Sequence, residues 1–123
     1  MENSCIRVLA DVNQIMECKE EIERVKEQTK PLTRLLALAG NEVRLHILYL
    51  LYREEQMCPC DLSDVLQMNV SPISQHLRKL KDAGMVIDNK VGQTIFYSLD
   101  KETVSPILPI IKSLKTELEE VVS

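Results

Sequence analysis

DLSDVLQMNVSPISQHLRKLKDAG, residues 61–84, is the stretch that decides how this chain folds. It reads as two short helices, one over DLSDVLQ and one over NVSPISQHLRKLKDAG, joined at MN and closed by Gly84 in the position where glycine ends a helix. In the second helix Ile73, Leu77 and Leu80 recur at i, i+4 and i+7 and mark a core face. Ser71, Ser74, Gln75 and Arg78 recur at i, i+3, i+4 and i+7 and mark another face, which is short, polar and basic. Two helices joined in this way form a helix-turn-helix.

Immediately downstream, MVIDNKVGQTIFYSL changes period: β-formers flank DNKVGQ, and Ile95, Tyr97 and Leu99 alternate with Thr94, Phe96 and Ser98. This predicts a hairpin whose turn contains Gly92. A helix-turn-helix followed at once by a hairpin is the order of a winged helix. Upstream, residues 13–29 predict a charged helix with Ile15, Ile22 and Val25 on one side, ending near Lys30 because Pro31 disfavours helix at the residue before it. LTRLLALAG follows as a short apolar helix. Asn41 then caps EVRLHILYLLYREE, whose inward stripe is Val43, Ile47, Leu50 and Leu51.

At the other end, Val104, Ile107, Ile111, Leu114, Leu118 and Val121 are spaced 3, 4, 3, 4 and 3 apart. That heptad spacing predicts a helix that meets a partner helix, most simply that of a second identical chain, through Ile107, Ile111, Leu114 and Leu118; packing on its own domain is the plainer alternative. The expected fold is mainly α with a small β-hairpin, a homodimeric winged helix-turn-helix in three parts. Residues 1–30 form an arm and first helix carrying possible metal ligands and a dimer contact, residues 31–100 the DNA-binding core, and residues 101–123 a dimerisation helix.

Composition agrees with a single aliphatic helical domain. The 123 residues are 45% hydrophobic yet include only three tyrosines, one phenylalanine and no tryptophan. No apolar run approaches the roughly 18 to 20 residues of a membrane span, and the N-terminus lacks the basic, apolar and small-residue regions of a signal peptide. A cytoplasmic protein with no membrane partner is expected. The net charge of −4 argues against indiscriminate binding to nucleic acid, but its distribution is uneven. No acidic residue occurs from Val65 to Lys81, and Arg78, Lys79 and Lys81 close that window.

The polar face of the second helix is therefore the candidate reader of double-stranded operator DNA. Serine and glutamine hydrogen-bond base edges or phosphates, arginine reaches guanine or phosphate, and lysine suits phosphate. The expected contacts are Ser71, Ser74, Gln75, Arg78 and Lys79, with Lys90 and Gln93 at the hairpin tip. His76 contacts DNA or hydrogen-bonds within the fold. A solvated helix face is the alternative for this window taken alone, and the adjoining helix and hairpin weigh against it.

Four cysteines remain: Cys5, Cys18, Cys58 and Cys60. In a reducing compartment they read as metal ligands or reactive thiols rather than a disulfide framework. Cys58 and Cys60 stand one residue apart in CPC, and a disulfide between them would close a strained ring. Pro59 biases Cys58 toward an extended backbone, in which residues i and i+2 point to the same side, and proline is well tolerated in a first helical turn. Both thiols can then face one ion, and a helix N-terminus favours the anionic form that binds metal. Soft thiolates select thiophilic ions, and two of them do not close a site.

GNEVRLHILYLL, CPCDLSDVL, SPISQHLRKLKDAGMV and GQTIFYSL together resemble the ArsR/SmtB family of metal-responsive winged-helix repressors over about residues 32–100. The resemblance implies a homodimer that binds its operator without metal and releases it when a toxic ion binds. It places CPC where the family's arsenic, cadmium and lead sensors carry Cys-x-Cys. Arsenic sensors of the family commonly add a third cysteine one turn along the same helix, where this chain has Ser63. The cadmium and lead branch recruits cysteines from the N-terminal arm, which implies Cys5 as a further ligand and Cys18 as either a fourth ligand or a buried apolar residue. The zinc-sensor site of the family's C-terminal helix is not matched, because residues 99–123 contain neither histidine nor cysteine. His46, inside an apolar helix, reads as a core histidine.

The expected function is thus a transcriptional repressor released by a thiophilic ion, with arsenite, antimonite, cadmium, lead, mercury and bismuth all chemically suitable, and not an enzyme acting on a small organic substrate. Alternatives are a winged-helix sensor of thiol oxidation or persulfide, a small thiol oxidoreductase, and a structural zinc module. The oxidoreductase lacks Cys-x-x-Cys beside a βαβ pattern. The zinc module would unfold on chelation, whereas a sensor must be folded without metal.

Overall fold

The computed structural model describes residues 6–115. The chain divides at Pro31 into two compact units, residues 1–31 and 32–123. The first unit holds most of helix α1, Val12–Ala39, whose first turn is capped by Asp11 accepting from the Gln14 amide at 3.0 Å. The helix expected to end near Lys30 instead continues through Pro31. Proline's fixed φ is itself helical, so the loss is one backbone hydrogen bond and some steric crowding rather than a compulsory stop.

In the second unit the elements follow as α2 (Glu42–Glu54), α3 (Pro59–Leu66), α4 (Val70–Asp82), β1 (Val86–Val91), β2 (Thr94–Leu99), α5 (Lys101–Val104) and α6 (Leu108–Lys112). This is a helix-turn-helix followed by a hairpin wing. Asn41 caps α2 as expected, its side chain accepting from the Arg44 amide at 3.0 Å. Helix α3 stops at Gln67, which adopts the left-handed conformation at φ 55°, while the Met68 amide donates to Ser63 O at 3.1 Å. Helix α4 ends in a Schellman arrangement: Met85 N–H reaches Leu80 O at 2.9 Å and Gly84 N–H reaches Lys81 O at 2.8 Å, with Gly84 at φ 75°. The chain thereby turns directly from α4 into β1.

The hairpin pairs antiparallel from Val86↔Leu99 to Val91↔Thr94, leaving a two-residue loop of Gly92 and Gln93. Gly92 takes φ 63°, a value that two-residue hairpin loops demand at their first position. A third segment joins this small sheet. Met57, just before CPC, exchanges both backbone hydrogen bonds with Tyr97 of β2, at 3.1 and 2.9 Å.

One apolar core unites the second unit. Ile47, Leu48 and Leu51 of α2, Leu62 of α3, and Ile73, Leu77 and Leu80 of α4 are buried together with Met85, Val86 and Leu99. Val104, Ile107 and Ile111 complete it, each no more than 2% exposed. This corrects the expected dimerisation seam. The C-terminal segment is not one continuous helix through this region, because Pro106 lies in the turn between α5 and α6 and Pro109 in the first turn of α6, and Ile107 and Ile111 are spent on the chain's own core. A 3, 4 spacing marks any buried helical face, whichever chain it faces. Leu114 is 40% exposed, and Leu118 and Val121 lie outside the described residues. His46 is also corrected: it is exposed on α2, beside the buried Ile47 and Leu48 that follow it in sequence.

Candidate nucleic-acid interface and thiol pair

The division of α4 into two faces is complete. Ile73, Leu77 and Leu80 are fully buried, while Ser71, Ser74, Gln75, Arg78 and Lys79 are exposed. Burial of the first set fixes the rotation of the helix about its axis, and this determines which side chains are presented outward. Lys81, the last cation of the basic window, is engaged otherwise: its Nζ donates to Asp88 Oδ2 at 2.8 Å, which ties the end of α4 to β1. That hydrogen bond holds Lys81 above its ordinary pKa and Asp88 below its own. Lys90 and Gln93 are exposed at the hairpin tip, as expected for a wing.

His76 stands apart from the other α4 candidates. It is half-buried, and its Nδ1 lies 3.3 Å from a terminal guanidinium nitrogen of Arg44. Arginine can only donate, so Nδ1 accepts and the neutral ring carries its proton on Nε2. Burial first, then the charges of Arg44 and Lys79, hold the imidazole below its ordinary pKa. Arg44 also donates through Nε to Leu38 O at 2.7 Å, filling one of the carbonyls left open at the end of α1. Sequence reading did not single out Arg44. Its role depends on two residues 6 positions before and 32 positions after it, which no local pattern joins.

The thiol pair sits at the start of α3. Cys58 is the N-cap residue in extended conformation (φ −89°, ψ 160°), as Pro59 requires, and Pro59 occupies the first turn. Cys58 is half-buried and Cys60 exposed. The donor set of two sulfurs, one of them open to solvent, suits a soft ion but fills only part of its coordination sphere. Ser63 adds nothing to it, since its hydroxyl donates to the Met68 carbonyl and so braces the turn between α3 and α4. Cys18 is exposed on α1 in the first unit, which corrects the buried alternative; Cys5 lies outside the described residues. Among the described residues no three His, Cys, Asp or Glu side chains gather as a metal site.

The family model for bacterial regulatory proteins of the arsR family matches residues 41–88, which run from the α2 cap through α3 and α4 into β1. The arsenical resistance operon repressor of Bacillus subtilis is 34% identical over 92 residues, covering 75% of this chain and 82% of that protein. The chain belongs to the ArsR family. A homologue of the cadmium resistance regulator CadC from Staphylococcus aureus is 29% identical over 83 residues, covering 68% of this chain and 69% of its own. Among solved structures, reduced HlyU from Vibrio cholerae superposes with a TM-score of 0.70 at 29% identity, over 77% of this chain and 99% of that one. This ArsR-family chain is accordingly a DNA-binding transcriptional regulator and not an enzyme. Among the described residues no helix is long and apolar enough to cross a membrane.

Proposed function

We propose that this chain is a dimeric repressor that holds its operator through α4 and the wing and releases it when a thiophilic metal or metalloid ion is captured by Cys58 and Cys60. Ser71, Ser74, Gln75, Arg78 and Lys79 read or grip the major groove, and Lys90 and Gln93 touch the backbone or minor groove beside it. Cys5 completes the donor set, with Cys18 a further candidate, because two thiolates leave coordination positions open. The kinship with cadmium- and arsenical-resistance regulators supports a soft ion as the effector.

One observation carries this reading. CPC is flanked on both sides by the parts proposed to bind DNA: it opens α3, which leads through a three-residue turn into α4, and its neighbour Met57 is bonded to β2 of the hairpin. A bound ion supplies the pull between thiolates. The chain supplies the rest: a shift of Cys58 moves the start of α3 and, through Met57, Tyr97 and the hairpin whose tip carries Lys90. By linkage, the ion weakens DNA binding by the factor that DNA weakens ion binding, typically worth roughly 1 to 3 kcal/mol.

The test is a DNA-binding titration on the sequence upstream of the protein's own operon, with each ion added in turn. Cys58→Ser and Cys60→Ser should each leave apo affinity nearly intact and abolish release, with loss of thiolate-to-metal charge-transfer absorbance. A Cys58→Ser protein that retains full absorbance and still leaves the operator sinks the sensor reading. A second reading, release on thiol oxidation, is favoured by the likeness to a HlyU structure described in its reduced form. Titration under strictly reducing conditions separates the two, since only ion-driven release survives there.

A further inference from the structure

In the second unit the end of α2, the junction of β2 with α5, and α6 border a cavity of about 450 Å³. None of its lining residues belongs to α4, the hairpin tip or CPC. Leu99, Leu108 and the half-buried rings of Tyr49 and Tyr52 give it an apolar lining, and the two rings lie 6.4 Å apart at a tilt of 44°. Lys101, Lys112 and Lys115 line the same space. We propose that this cavity binds a small organic dianion: an aromatic or apolar body that carries a phosphate monoester or a pair of carboxylates.

Charge selects the ligand's sign. Lys26 and Lys81 each have a carboxylate partner, at 2.7 and 2.8 Å, whereas none of the three cavity lysines forms an ion pair among the described residues. The other cation of the lining, Arg53, is paired with Glu54 at 2.7 Å, and Glu55 is the one carboxylate there among the described residues. Helix ends account for only part of the positive charge, because the carbonyl end of α2 is worth about half a negative charge and the 5-residue α6 less. Three ammonium groups outweigh both ends and Glu55 together. Volume and lining then select the class: small-molecule sites span roughly 300 to 1,000 Å³ and are apolar with a few polar groups that fix orientation. Two tyrosine rings supply faces for an aromatic or apolar body and phenol hydroxyls for its oxygens. A duplex backbone fits less well, since the lysines share a concave, apolar space rather than a track beside α4.

The test titrates the full chain with phenyl phosphate and with phthalate at about pH 8, where both are doubly charged, by calorimetry and amide NMR. Saturable binding of at least one of them, one per chain, is expected, with shifts at the amides of Tyr52, Leu99, Lys101 and Lys112. The tighter of the two identifies the anionic group. Lys101→Gln and Lys112→Gln should each weaken binding about tenfold, as loss of a charge-assisted hydrogen bond does. Both lysines are exposed, so neither substitution disturbs the core. Lys26→Gln, the same charge change in the first unit, should leave binding unaltered. Inorganic phosphate and phenol, which offer the charge or the ring alone, should each bind at least about tenfold more weakly than phenyl phosphate if the phosphate ester is the tighter ligand, and phenol and benzoate likewise against phthalate if it is not. Failure of both dianions to saturate by about 10 mM would overturn the proposal. So would equal loss of affinity in Lys26→Gln, or inorganic phosphate binding as tightly as either dianion. Lysine variants that leave both titrations unmoved but lower the salt dependence of operator binding would reassign the three lysines to the DNA backbone and overturn it as well.

Discussion

Arg44→Ala removes one side chain that joins three helices, and its cost follows from the bonds on either side of it. The guanidinium donates to Leu38 O at 2.7 Å and approaches His76 Nδ1 at 3.3 Å. A hydrogen bond from a charged group contributes about 1.5 to 3 kcal/mol, and the longer contact falls at the weak end, near 0.5 kcal/mol. Arg44 is only half-buried, so water replaces part of what is lost, and about 2 kcal/mol remains as the net destabilisation. With a urea m-value of about 1.5 kcal/mol/M for a domain of this size, the unfolding midpoint should fall by roughly 1.3 M. Protein concentration must match between the two proteins, because any self-association, as in the proposed dimer, makes apparent stability depend on it. Removal of the arginine charge should also raise the His76 pKa toward the ordinary imidazole value, observable by NMR titration. A midpoint drop under about 0.3 M together with an unmoved His76 titration would refute the bridging role.

Further substitutions address the DNA face and the turns. Arg78→Ala should weaken operator binding by about 1 to 3 kcal/mol if the side chain reaches a base, with the loss depending on operator sequence; equal loss on unrelated DNA would reassign it to phosphate. Lys90→Ala should lower the salt dependence of binding by about one phosphate contact, read from the slope of log K against log salt, and an unchanged slope removes the wing tip from the interface. Gly84→Ala should cost about 1 to 2 kcal/mol through its positive φ alone, since a Cβ there meets nothing nearer than Thr103 at 3.9 Å; a neutral result in denaturant would mean that the turn relaxes. His76 has a lowered pKa in the folded chain, so the unfolded chain binds more protons below the imidazole pKa of about 6.5. Its contribution is present above that pH and is lost as pH falls through the folded value, so stability should drop in mild acid and the drop should vanish in His76→Gln.

What was legible in the sequence was whatever depends on neighbours in the chain. The two faces of α4, the Asn41 cap, the Gly84 stop and the Gly92 turn are all set by residues within one or two turns of each other. The misread features are decided elsewhere. Continuation of α1 through Pro31 is a balance between one lost hydrogen bond and the helix on either side. The assignment of Ile107 and Ile111 to a partner failed because a core face and a dimer face have the same period, and only the positions of α2 and α4 tell them apart. Arg44 and Met57 gain their roles from Leu38, His76 and Tyr97, which the chain brings close only on folding. For the thiols, spacing announced the extended Cys58 and the helix start.

The bond pair between Met57 and Tyr97 has a consequence for solubility. A two-stranded hairpin has outward-facing amides and carbonyls on β2, ready to recruit a strand from another molecule. Tyr97 lies in the middle of that margin, and its N–H and C=O are already occupied by Met57. The chain thus occupies the middle of the outer edge of β2 against pairing with a strand of another copy. It does so with the residue next to Cys58, so any event that drew Met57 away would also free the backbone N–H and C=O of Tyr97 for a strand from another molecule.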